Sequence, residues 1–148
     1  MNRKTALRAL GTAAAAAGLA IGLSGTAQAE TGYTNGQYVT SQHQVFAGCV
    51  GDLQYGTSNA TNAIYARGMF ILNTSTRTDA DGNYLMCQGW LQRSTDGGRT
   101  WTDISDVHVG YGGVHAGTSY YYDGPGYLAR VCVGDFLYYN SYSCGSGA

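Results

Sequence analysis

The chain has 148 residues, eight basic and nine acidic side chains, a formal net charge of −1, 23 glycines, one proline and four cysteines. Beyond residue 30 the only cations are Arg67, Arg77, Arg93, Arg99 and Arg130, set against Glu30 and eight aspartates, so that part is mildly acidic. Scattered arginines on an acidic chain give no footprint for nucleic acid or an anionic membrane, and both are excluded as partners.

The N-terminus carries Arg3, Lys4 and Arg8, then a run over 9–23 that is apolar but for Thr12, then Ala27-Gln28-Ala29. A basic start, a short apolar run and a small-x-small end are the marks of an export signal. The run is too short to span a bilayer comfortably. Residues 1–29 therefore read as a cleaved signal peptide of bacterial, alanine-rich type, and the protein as secreted. Residues 30–44, ETGYTNGQYVTSQHQ, are polar with little to bury. They read either as an edge strand or as an arm that stays loose until it meets a partner.

From residue 45 to 148 the pattern is that of strands and turns, in one small domain. Turn signals fall at 56–62, 78–83, 96–98, 110–113 and 123–126. Between them lie strand candidates at about 37–47, 48–55, 63–73, 84–94, 99–109, 117–122, 127–139 and 140–144. Nothing reads as a helix. The expected fold is all-β, a small antiparallel β-sandwich of immunoglobulin-like or jelly-roll-like kind.

Cys49, Cys87, Cys132 and Cys144 all follow the export signal. No close C-x-x-C pair exists to hold zinc, so two disulfides are expected. Cys49–Cys87 with Cys132–Cys144 is favoured, because the second bridge closes a short loop; Cys49–Cys132 with Cys87–Cys144 is the rival.

The heptapeptide CVGDLQY at Cys49–Tyr55 returns as CVGDFLY at Cys132–Tyr138. As strands, each copy puts its cysteine and glycine on one face and its valine and aspartate on the other. Two matched strands in equivalent places, with bulges at Gly51 and Gly134, explain this most simply. A sharper reading pairs Asp52 with Asp135 for acid–base or metal chemistry.

Other chemistry is sparse. The sequence has no H-E-x-x-H, G-x-S-x-G or P-loop motif. Asp106 and His108 stand two apart on an expected strand, where they share a face. Ser105 and Ser119 lie on no nucleophile turn, and His43 and His115 have no motif around them. Asp79, Asp81 and Asn83 around Gly82 suit a β-turn better than a calcium loop, since no later bidentate acid follows. We expect no enzyme, no cofactor and no metal. The surplus is aromatic: thirteen tyrosines follow residue 30. Tyrosine and tryptophan give large contact areas with a polar tip. Tyr33, Tyr38, Tyr84, Trp90, Tyr120, Tyr121, Tyr122 and Tyr139 form the candidate binding surface. In the Tyr120–Tyr122 run, alternation must send at least one ring to each face.

Ser94, Asp96, Gly98, Thr100 and Trp101 match S-x-D-x-G-x-T-W, which resembles the Asp-box of sialidase-like propellers and other secreted β proteins. One copy implies a hairpin device and no glycosidase activity. The layout of export signal, polar arm and four-cysteine β domain is similar to that of the small adaptor subunits of bacterial umbrella toxin particles. It also looks like small hydrolase inhibitors such as the amylase-inhibitor sandwich, although their Trp-Arg-Tyr triplet is absent. The expected function is a secreted, non-enzymatic adaptor whose partner is another secreted protein. The alternatives are a hydrolase inhibitor acting through the loop GYGGVHAG at 110–117, and a carbohydrate-binding module that takes a glycan.

Overall fold

A computed structural model describes residues 29–30, 39–136 and 141–148. The expected export signal apart from Ala29, and the candidates Tyr33, Tyr38 and Tyr139, lie outside the described residues. The elements are β1 (Ala29–Glu30), β2 (Val39–Phe46), β3 (Cys49–Thr57), β4 (Ile64–Leu72), β5 (Thr74–Thr78), β6 (Tyr84–Ser94), β7 (Thr102–Asp103), β8 (His108–Gly110), β9 (Val114–Gly117), β10 (Tyr120–Tyr122), β11 (Leu128–Asp135) and β12 (Tyr142–Cys144). They form two antiparallel sheets. The first runs β1-β10-β4-β3-β2, with β9 also on β4; the second runs β12-β11-β6-β5, with β7 and β8 also on β6. Segment 30–44 thus ends in a strand, because Val39 to Gln44 belong to β2 at the edge of the first sheet.

The sheets face one another across a single apolar core. Cys49 and Leu53 of β3, Ala66, Phe70 and Leu72 of β4, Cys87 and Leu91 of β6, and Ala129, Val131 and Val133 of β11 fill it. Period-2 alternation selects these residues strand by strand. Phe70 occupies the centre because glycines on both sheets leave room for its ring. A Cβ at Gly89 would stand 2.5 Å from the ring, and one at Gly68 2.7 Å. Cys49–Cys87 ties the sheets together, and Cys132–Cys144 ties β12 to β11. The favoured connectivity is the observed one.

Three strand expectations need correction. The stretch 99–109 breaks into β7 and β8, because both backbone groups of Leu91 bond to the segment between them: Leu91 N donates to Ser105 Oγ and Leu91 O accepts from Ile104 N. Thr74–Thr78, unassigned from sequence, forms β5, whose Ser75 and Arg77 reach a buried aspartate of β11. The expected loop 110–117 is half strand: Val114–Gly117 pairs with β4, leaving only residues 111–113 as a turn.

Candidate interaction face

The outer face of the first sheet is built by the strand registers. β2 and β3 join through Ala47 and Gly48, both in the left-handed region (φ 48° and 85°), which is the geometry of a two-residue hairpin. That turn sets Val45 beside Val50 and His43 beside Asp52, and the β3–β4 register adds Ile71 and Met69 to those rows. Val45 is half exposed, and Val50, Ile71 and Met69 are partly so. His43 Nδ1 lies 2.6 Å from Asp52 Oδ1. The next row is polar: Arg67 donates to Gln54 at 3.0 Å and to the Tyr120 hydroxyl at 2.9 Å, with its guanidinium 5.4 Å from that ring.

Beyond it lies an aromatic corner. Tyr65 and Tyr122 meet edge to face at 6.0 Å, and Tyr122 and Tyr127 do so at 5.5 Å. Arg93 reaches in from β6, its guanidinium 4.8 Å from the Tyr127 ring and donating to the Tyr122 carbonyl. Beneath this corner Asp123 is buried, and burial pushes its carboxyl up to about 6 against the opposing pull of the Tyr55 hydroxyl and the Arg93 charge. Burial lowers the Arg93 guanidinium and raises the Tyr55 hydroxyl.

Of the sequence candidates, the structure brings Tyr120 and Tyr122 together on this face. Tyr121, 7 % exposed, turns into the core, as alternation requires for the middle of three. Trp90 is also only 7 % exposed, lying on the outer side of the second sheet with its ring 5.1 Å from Tyr142. Neither belongs to a binding surface. Tyr84 is well exposed but stands at the start of β6, in the other sheet. Sequence reading missed Arg67, Met69 and Ile71, although their spacing by twos in β4 was the available signal; Tyr65 continues that row but is only 4 % exposed, packed against Tyr122. It also missed Arg93 and Tyr127, which only the packing of the two sheets brings together.

The residues weighed for catalysis are held apart. Asp52 points outward to His43, whereas Asp135 is fully buried, accepting from Ser75 Oγ at 2.5 Å and meeting Arg77 at 2.9 Å. Asp106 is exposed and precedes β8, while His108 packs its ring 5.9 Å from Phe70, so they share no strand face. Ser105 Oγ is engaged by Leu91 N and donates to the Asp106 carbonyl. Among the described residues no three His, Cys, Asp or Glu side chains gather as a metal would require.

The two acidic turns are closed by their own carboxylates. Asp96 accepts from the Arg99 and Thr100 amides, from the Thr100 hydroxyl and from Ser94, which holds its carboxyl far below the usual range. Gly97 and Gly98 adopt positive φ there, and Trp101 Nε1 closes back on the Gly98 carbonyl. One face of Trp101 is covered by Arg130, at 4.1 Å. Asp79 likewise accepts from the Asp81 and Asn83 amides and caps the β5–β6 turn.

Among the described residues no helix is long and apolar enough to cross a membrane. No protein-family model, curated protein or solved structure matches this chain.

Proposed function

We propose that this protein is a secreted, non-enzymatic binding module that acts as an adaptor for another secreted protein. The observation that carries this reading is the outer face of the first sheet. It joins an apolar row (Val45, Val50, Ile71) to an arginine–tyrosine corner (Arg67, Tyr120, Tyr122, Tyr127, Arg93), and Val45, Tyr122 and Tyr127 are exposed on it. Tyrosine and arginine at the margin of an apolar patch are the composition that protein interfaces favour. Two disulfides suit an oxidising, extracellular setting. A subunit role in a secreted toxin assembly is the finer form of the proposal, supported by the layout alone.

The test is to recover the protein from native culture supernatant, size it without denaturation and identify what accompanies it. We expect a complex of defined composition, which Ile71→Asp and Tyr122→Ala weaken while the free protein stays folded. A lone monomer would overturn the adaptor reading.

One observation favours an inhibitor as the second reading. Tyr111, 66 % exposed, stands at the turn between β8 and β9, where Gly112 and Gly113 take positive φ and Gly113 N donates to the Leu72 carbonyl. A fixed turn with one large exposed ring is a shape that can enter a hydrolase cleft. Inhibition of a secreted hydrolase that Tyr111→Ala abolishes would select this reading over the first.

A further inference from the structure

The edges of the two sheets are unequally defended. β1 has two residues and β12 three, while β5 is interrupted in its pairing and carries Arg77. β2 has eight residues, VTSQHQVF, with no lysine, arginine, carboxylate or proline, and a single irregularity at Ser41. Long, uncharged edges are what proteins normally avoid, because free N–H and C=O groups recruit further strands.

The hairpin geometry says which groups are free. A two-residue turn closes on a hydrogen-bonded pair, here Phe46 with Cys49. Alternation along an antiparallel ladder then makes Val45 opposite Val50, and His43 opposite Asp52, non-hydrogen-bonded pairs. The N–H and C=O of Val45 and of His43 therefore point away from β3. Among the described residues, no backbone bond outside the β2–β3 ladder reaches Val39–Phe46. β12 of the other sheet approaches β2 from its inner side. Gln42 and Gln44 turn towards it and bond Ser146 and Ser143, whereas the His43 and Val45 side chains stay exposed.

We propose that the free edge of β2 receives an extended segment of the partner protein as an added strand. This rests on the adaptor reading and gives it a mechanism. Donors and acceptors repeating at every second residue are matched by extended polypeptide and not by a glycan or an ion. The incoming strand carries an apolar residue opposite Val45, where it continues the row Ile71–Val50–Val45, and a polar one opposite His43.

The experiment uses the complex recovered from supernatant, the full chain alone, and two variants. Val45→Pro deletes an N–H that the β2–β3 ladder does not use, and Val45→Lys places a charge on the same edge. Both are first checked for intact disulfides and unchanged unfolding. With strand addition, both variants recover at least about tenfold less partner, and the His43 and Val45 amides exchange at least about tenfold more slowly in the wild-type complex than in the free chain. A complex that survives both variants with those amides unprotected overturns the strand proposal and leaves the adaptor reading intact. Absence of any complex with the unaltered chain overturns both. A homodimer of the purified chain that Val45→Pro dissociates would assign the edge to a second copy and overturn the partner assignment.

Discussion

In Cys49–Tyr55 the cysteine, glycine and leucine face the opposite sheet, whereas in the copy that starts at Cys132 the inward residues are Val133 and Asp135. The two segments present opposite sides of the same word. Cys49 consequently bridges between sheets and Cys132 bridges within one. Gly51 makes room for Phe70 and Val133, while Gly134 makes room for β12, where an added Cβ would stand 2.4 Å from the Ser141 carbonyl oxygen. Asp52 meets His43 in solvent, and Asp135 meets Ser75 and Arg77 in the interior. A strand's sequence fixes which residues share a face; its neighbours decide which face is inside.

The largest test of this contrast removes the bridges. Cys49→Ala with Cys87→Ala opens a loop of sequence separation 38 between sheets, and Cys132→Ala with Cys144→Ala opens one of 12. Loop-closure entropy gives about 4 kcal/mol for the first and about 3 kcal/mol for the second. Urea unfolding should order them so, and equal losses would deny the contrast. Next come the aspartates. Asp135→Ala strips a buried network and should cost roughly 3 kcal/mol, whereas Asp52→Ala should cost under about 1 kcal/mol. Similar midpoints would mean that the two environments differ less than their burial indicates.

The glycines should separate by location more than by size. Gly51→Ala forces a methyl to within 2.7 Å of Val133 Cγ1 in the core. It should lower global stability by roughly 1–3 kcal/mol. Gly134→Ala presses on backbone near the chain's C-terminal segment, which is tied down by the Gly145–Val131 and Ala148–Ala129 bonds. Its cost should appear first as faster amide exchange at Gly145 and Ala148, with a smaller change in the global midpoint. Faster exchange throughout the core in both variants would erase the distinction.

Much of the fold was legible because it is locally encoded. Turn residues marked most hairpins, the spacing of the last two cysteines suggested their bridge, and Asp96 with its glycines declared the β6–β7 turn. What was not legible depends on partners distant in sequence. Nothing near Cys132 states that Val133 will meet Gly51, and nothing in Thr74–Thr78 states that Asp135 needs Ser75 and Arg77. The candidate face followed the same rule. Tyr120 and Tyr122 were visible as a tyrosine run, but Trp90 and Tyr121 carry the same chemistry and are buried. The row Val45–Val50–Ile71 exists only once the Ala47–Gly48 turn has set the register.

The smallest effect sharpens the comparison by adding a third aspartate, Asp123, buried like Asp135 but at the other end of the sandwich. Here burial is the leading influence, and the carboxyl is raised from 3.8 to about 6. Below the lower value both folded and unfolded chains hold the proton and the group contributes nothing. As pH rises the unfolded chain releases its proton first, so stability falls between about pH 4 and pH 6 and stays lower above that. Residual solvent contact screens the penalty to the order of 1 kcal/mol. Asp79 and Asp96 act in the opposite sense, since their carboxyls are depressed and their contribution is lost as pH falls below the normal carboxylate range. The difference between wild type and Asp123→Asn isolates the first effect. It should favour the variant more at pH 7 than at pH 4, and a flat difference in urea midpoint across that window would show that Asp123 is solvated in the folded chain.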